Sequence, residues 1–305
     1  GPFSTSPLMS IKNTSQRGAP SAAVNAAQSK ARLDGNPWMP YLLVFPATLY
    51  LVIFQLIPLL QQLGLSFTAT NLLTPNTSHW VGFENYVDIF NEAEFRGAIV
   101  VTLVYTVACV VSAVTLGLLS ALLLDAPFKG RGIARALVTI PWAAPPVAVA
   151  LVAIWIYNAQ YGVFGHVLRF FGFQSGTINW LDSTTFALPA VLLTTIWQIF
   201  PFASVVLLAA LQGVSHEQRE AAIIDGADSL SVFKAVTWPT IKPSVMLLAL
   251  FSTIWALRRF DLIWLLTQGG PLGSTNTLVI DVYRRAFVHQ QLGQAAAVGV
   301  AGVVL

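Results

Sequence analysis

The chain has 305 residues, of which 55% are hydrophobic and only 10% charged, against roughly 25% charged residues in soluble domains. That excludes an ordinary soluble domain and marks a membrane protein. The formal net charge of +3 comes without a basic patch interleaved with aromatics, so it argues for orientation in a bilayer and against nucleic acid as a partner.

Positions 1–36 are rich in Ser, Ala, Asn and Gln and lack both hydrophobic periodicity and the apolar run of a signal peptide; they read as a disordered cytoplasmic arm. Positions 37–305 read as one transmembrane domain. A first span is expected over 39–67. Windows free of Asp, Glu, Lys and Arg cover 97–124, 136–168 and 183–216, each longer than the ~20 residues that cross a bilayer. A fifth span is expected over 244–268, and a sixth starts near Gln291 and is cut short at Leu305. The expected fold class is an all-α integral membrane protein, a six-span helical bundle.

Lys and Arg are retained on the cytoplasmic side of short loops. Lys12, Arg17, Lys30 and Arg32 lie in the arm, Lys129, Arg131 and Arg135 follow the second span, and Arg219, Lys234 and Lys242 lie between the fourth and fifth. The alternate loops carry Glu84, Asp88, Glu92 and Glu94, or balance Asp182 against Arg169. Both chain ends are therefore expected inside.

Enzyme chemistry lacks its residues. His79, His166, His216 and His289 fall in separate connections or span ends, the single Cys109 sits inside a span as a packing residue, and no metal-ligand spacing, nucleophile elbow or phosphate-binding Gly-rich Lys loop occurs. No catalytic residue, metal or cofactor is assigned to the chain. No inverted repeat of the self-sufficient transporter kind is found. The sequon Asn76-Thr77-Ser78 marks an exposed loop.

One polar stretch between the fourth and fifth spans spells two short helices and a turn. Ser215 with Gln218 makes a capping box, and Glu217 and Glu220 lie at the positive end of the first helix dipole. Gly226 is the expected stop, Asp228 caps the second helix, Leu230, Phe233 and Val236 form an apolar stripe along it, and Pro239 and Pro243 bound it. Such a hairpin, with the small pair Ala221 and Ala222, is shaped to plug into a partner.

Glu220-Ala221-Ala222, Gly226, Val236 and Pro239 resemble the EAA signature of bacterial ATP-binding-cassette importer permeases, with Trp238 where that signature has Leu. The similarity extends through VGFENYVDIF, IPWAAPPVAVALVAIW, WQIFPFASVVLLAALQGVSHEQREAA, RRFDLIWLLTQGGP and TLVIDVYRRAF to the carbohydrate-uptake branch, larger-subunit type. The resemblance implies the type I importer permease fold in a bacterial inner membrane. It also implies a second permease subunit, two ATPase subunits that bind ATP and Mg, and an extracytoplasmic sugar-binding protein. By the same resemblance Glu220, Ala221, Ala222, Asp225, Gly226 and Ala227 couple to the ATPase, and Leu230 and Phe233 brace the second helix.

Ionised groups inside spans are functional candidates, and Arg258, Arg259 and Asp261 fall within the fifth; Arg258 and Asp261 are spaced to pair on one helix face. The resemblance places solute contacts at Gln198, Ile199 and Phe202 and at Ser252, Trp255, Ala256 and Arg259. Packing between helices, with Arg259 reaching for the membrane surface, is the competing reading. The maltose-type pattern has asparagines where this chain has Arg258 and Arg259, so a phosphorylated or acidic solute enters consideration. Pro141, Pro145 and Pro146 are expected to kink the third span, Trp38, Tyr41, Trp142, Trp155 and Trp180 to anchor span ends, and His289 to sit in an exposed loop. Other readings to be separated are a permease for a glycerophosphodiester or an amino acid, and a channel that works without ATPase.

Overall fold

The computed structural model describes residues 38–173 and 177–304; the arm expected over 1–36 lies outside them. The chain divides into a unit ending at Leu60 and a second over Gln61–Leu305. Among the described residues the architecture is helices joined by turns and loops, and the β pairing is limited to the isolated bridges Thr68–Trp80 and Asn71–Gln291.

Helix α1 (Met39–Leu65) is apolar around its circumference over its first 22 residues, broken by Thr48 and Gln55. Thr48 donates its hydroxyl to the Val44 carbonyl at 3.1 Å, the local solution that lets a polar side chain sit in a membrane helix. A wide turn over Val52–Leu56, with the Ile57 N–H reaching the Val52 carbonyl, absorbs the donor missing at Pro58.

In the second unit, α2 (Glu84–Asn91) leads into α3 (Ala93–Asp125), which at 1.5 Å per residue is roughly 50 Å long. It forms a spine with α7 (Ala187–Gln212). Ala113, Gly117 and Ala121 repeat every fourth position and are buried, and a Cβ on Gly117 would stand 2.5 Å from the Ala203 Cβ. Small residues let two backbones approach where lipid offers no hydrophobic drive. Hydroxyl bonds fasten the pair at two levels, Tyr105–Thr195 and Ser204–Ser120, each 2.9 Å.

The expected third span is not one helix. α4 (Arg131–Ala143) and α5 (Pro146–Ile156) meet at 93°. Ala144 and Pro145 each precede a proline, are pushed out of the helical region, and take ψ of 133° and 136°. After α6 (Val163–Phe170), Trp180 is buried against Phe164 and Phe186 instead of anchoring a span end.

The polar hairpin opens with α8 (His216–Ile224). Its second helix is not bounded by Pro239 and Pro243: α9 runs unbroken from Ser229 to Leu257 through a wide turn over Phe233–Thr237. Trp238 donates to Phe233, and Pro239 follows one residue later, the same arrangement as at Pro58. The hairpin's second arm is thus the start of the fifth span, which begins earlier than 244 and ends at Leu257. Helix α10 (Asp261–Thr267), helix α11 (Leu278–Tyr283) with its wide turn Arg284–Val288, and α12 (Leu292–Val304) complete the chain.

Four helices are long and apolar enough to cross a membrane, and the bent α4–α5 pair brings the number to five; α12 is a shorter apolar helix of 13 residues. The described residues therefore supply four or five crossings where the sequence reading expects six.

Candidate functional site

Near the middle of the spine, α3, the α4–α5 break, α7 and the end of α9 line a cavity of about 260 Å³. Six of the seven expected solute-contact residues line it: Gln198, Ile199, Ser252, Trp255, Ala256 and Arg259. The seventh, Phe202, stands behind the wall, its ring 5.0 Å from Trp255 and 5.4 Å from Trp142. Cys109, Trp142, Ala144, Pro146 and Thr195 also line the cavity; sequence reading gave them packing or anchoring roles or none.

Arg259 does not reach for the membrane surface. Its Nη2 donates to Gln198 Oε1 at 2.8 Å, and Gln198 Nε2 donates to the Ala144 carbonyl at 3.1 Å. The α4–α5 break provides that carbonyl as an acceptor, so one polar chain links three elements across the cavity. The expected Arg258–Asp261 pair does not form. The helix ends at Leu257, so i,i+3 spacing no longer applies, and Asp261 instead stands 4.0 Å from Arg259 while its Oδ1 accepts its neighbour's N–H from Leu262.

The hairpin is built as its caps require. Ser215 Oγ accepts the Gln218 N–H at 3.4 Å and Asp228 Oδ1 accepts the Ser231 N–H at 3.0 Å; the Ser231 side chain first, and this backbone bond second, hold the Asp228 carboxyl below its ordinary value. Gly226 has φ +85°; Ala227 N–H closes on the Ala222 carbonyl and Gly226 N–H on Ile223, both at 3.0 Å, a Schellman closure. Nothing lies within 4 Å of a Cβ at Gly226, so backbone conformation alone demands glycine.

Glu220 is exposed and paired with His216 at 3.2 Å. Ala221, Asp225 and Gly226 are exposed beside it, Ala222 and Ala227 half-buried, and Ile223, Ile224 and Leu230 present apolar surface. Leu230 therefore faces outward; buried Val232 and half-buried Phe233 and Val236 hold the second arm in place. Arg219 ties α8 to the bundle, reaching Asp125 at 3.7 Å and the Leu211 carbonyl at 3.4 Å.

The opposite end carries an ionic cluster that sequence reading missed. Arg285, 4% exposed, donates to Asp281 at 3.1 Å, to Gln294 at 3.2 Å and to Glu92, and Arg284 meets Glu94 at 2.9 Å. Burial lifts the Asp281 carboxyl above its ordinary value despite Arg285. Burial works against the Arg285 charge, and Glu92 and Asp281 together still hold its pKa above the ordinary value. Beside it an open cleft of about 770 Å³ is lined by Glu94, Trp264, Gln268, Leu272 and Arg284 among others. Among the described residues no group of three His, Cys, Asp or Glu side chains could hold a metal.

Comparison with known proteins accords with this layout. The fold is similar to that of a bacterial ABC transporter involved in the import of the acidic polysaccharide alginate, with TM-score 0.74 at 23% identity over 92% of this chain and 93% of that one. A probable ABC transporter permease protein of Sinorhizobium fredii is 35% identical over 95% of this chain and 91% of its own length. The trehalose/maltose transport system permease protein MalF of Thermococcus litoralis is 34% identical over 83% of each chain. The sulfoquinovosyl glycerol transport system permease protein SmoG of Agrobacterium fabrum is 33% identical over 87% of this chain and 86% of its own. Residues 113–305, which hold both the cavity's α5, α7 and α9 walls and the hairpin, match the family model described as binding-protein-dependent transport system inner membrane component, and the chain belongs to that family.

Proposed function

We propose that this chain is the transmembrane subunit of an ATP-driven sugar importer of the bacterial inner membrane, with its N-terminus and the hairpin on the cytoplasmic side. A second permease subunit completes the translocation path, an extracytoplasmic sugar-binding protein delivers the solute at the 770 Å³ cleft, and two ATPase subunits hold ATP and Mg. The chain contributes no catalytic group of its own.

The observation that carries this reading is the cavity. Trp255 and Trp142 offer ring faces for sugar C–H surfaces, and Gln198 and Arg259 offer donors to hydroxyls in one small space on three membrane helices. The trehalose/maltose and sulfoquinovosyl glycerol relatives support the carbohydrate assignment. The hairpin supplies the coupling. Exposed Glu220, Ile223 and Ile224 form the docking face, and because the second arm continues into α9, movement of the ATPase turns directly into movement of the Ser252, Trp255 and Ala256 wall.

The test is co-purification in mild detergent followed by uptake in proteoliposomes. An ATPase subunit should co-purify, and Trp255→Ala should depress sugar uptake without loss of assembly. Absence of an ATPase, or uptake without ATP, would replace the importer reading with a channel.

A further inference from the structure

We propose that the solute taken by this cavity is an acidic sugar, one whose carboxylate or sulfonate becomes the partner of Arg259; this rests on the sugar-permease reading and narrows it. Arg259 is the one ionised side chain among the cavity's lining residues. Its short hydrogen bond goes to a neutral group, Gln198 Oε1. The nearest carboxylate, Asp261, stands at 4.0 Å, does not line the cavity, is 42% exposed at its side chain, and already accepts the Leu262 N–H through the same oxygen. Arg258, one residue away, is exposed and adds positive charge.

A largely buried guanidinium whose short hydrogen bond goes to a neutral group is electrostatically incomplete. A neutral sugar offers it only hydroxyl acceptors, whereas a carboxylate or sulfonate matches its planar fork with two parallel charge-assisted bonds. The charge-pair attraction is available to an acidic ring and not to a neutral one, which is what lets this site distinguish them. The remaining lining fits a sugar body with one acid: Trp142, Trp255 and Ile199 are apolar, and Ser252 and Thr195 are uncharged. Occupation follows a simple exchange in which the anion takes Arg259 from Gln198, and the freed amide turns to the solute's hydroxyls.

The cavity's potential can be read without knowing the natural solute. In the assembled importer carrying Cys109→Ala, a cysteine placed by Ser252→Cys is reacted with anionic methanethiosulfonate ethylsulfonate and with cationic methanethiosulfonate ethyltrimethylammonium, each rate divided by that of a free thiol in solution. The anionic reagent is expected to win by about tenfold or more, as one-signed charge in a low-dielectric cleft concentrates the opposite ion. The preference should vanish with Arg259→Gln and survive Arg259→Lys. Equal rates, a preference for the cation, or a preference untouched by Arg259→Gln overturns the proposal. A second arm compares uptake of a glucuronate-bearing disaccharide with its carboxyl-reduced form. Uptake of the acid, reduced at least tenfold by Arg259→Gln, supports the acidic class; uptake of the neutral form alone overturns it while leaving the sugar-permease reading intact. Failure of that reading shows separately, as loss of ATPase co-purification.

Discussion

Arg259 and Gln198 are 61 positions apart and meet at 2.8 Å. The bond exists because two helices are interrupted: α9 stops at Leu257, which turns Arg259 inward, and the α4–α5 break leaves the Ala144 carbonyl open to the other end of the Gln198 amide. Gln198 is suited to the position because one planar amide supplies both an acceptor for the guanidinium and a donor for the carbonyl.

Gln198→Leu should therefore destabilise the protein in two places, stranding the Ala144 carbonyl and removing the Arg259 acceptor. Each group that water cannot reach costs about 1–3 kcal/mol. Thermal melting in detergent should fall clearly below wild type, and Gln198→Glu, which keeps an acceptor for Arg259 but has no donor for the Ala144 carbonyl, should recover only the Arg259 share of the loss. Identical melting of Gln198→Leu and wild type would mean that the bridge holds nothing together.

The α3–α7 spine makes a separate claim about packing. A methyl on Gly117 meets the Ala203 Cβ at 2.5 Å and the Ser204 amide nitrogen at 3.1 Å, so the helices must part to admit it. Gly117→Ala should cost about 1–3 kcal/mol, the usual penalty of overpacking. Adding Ala203→Gly removes the worst clash and should restore part of it. A double-mutant cycle by reversible denaturation in mixed micelles checks this, and additive effects would show that the two residues do not meet.

Asp281 gives a pH dependence with a definite sign. Burial raises its carboxyl above the ordinary 3.8, so the folded protein holds that proton more firmly than the unfolded chain. Its contribution is complete below about 3.8 and is lost as pH rises through the raised folded value. Wild type should accordingly lose stability relative to Asp281→Asn as pH climbs across that window. A melting difference that stays constant from pH 3.5 to pH 7 would show that Asp281 titrates alike in both states.

Much of this was legible in the chain because two signals are local. Uncharged runs mark α3 and α7, and Ser215, Gly226 and Asp228 stand where caps and a left-handed turn need them, so the hairpin could be drawn residue by residue. What failed depended on helices being interrupted or prolonged. The prolines at 145 and 146 announced a kink but not a 93° bend, whereas Pro239 and Pro243 announced an end that a wide turn avoided. The Arg258–Asp261 pairing assumed a helix that stops one residue too early. The Arg285–Glu92 contact spans 193 positions, and no local pattern reveals it.

The proposed orientation rests on the basic residues near the hairpin, and cysteine labelling at exposed positions tests it. In α2, Asn85 is buried with its amide bonded to the Ser66 and Thr68 carbonyls at 2.9 Å, so its exposed neighbour is the one to label. Glu84 and Ser229 are exposed. In a Cys109→Ala background, Glu84→Cys should react with an impermeant maleimide added to intact cells stripped of their outer barrier, and Ser229→Cys only after the membrane is opened. The reverse pattern would invert the topology.

The hairpin prediction separates docking from transmission. A Cβ at Gly226 meets no neighbouring atom, so Gly226→Val is strained first by the φ of +85° and should cost about 1 kcal/mol or more by opening the turn, with Gly226→Asn costing less because asparagine tolerates that region. Glu220→Ala removes an exposed side chain that pairs with His216 on the same helix, so it should leave melting unchanged and weaken ATPase capture. Arg219→Ala differs from both. It leaves the exposed face intact but cuts the link to Asp125 and Leu211, so the ATPase should still bind while transport per ATP hydrolysed falls. Pull-down and uptake measured together at matched membrane levels distinguish the three. If Glu220→Ala and Gly226→Val both retain full ATPase capture and full uptake, the hairpin is not the coupling element; if Arg219→Ala loses capture in proportion to uptake, the residue positions the docking face and does not transmit its movement to α3.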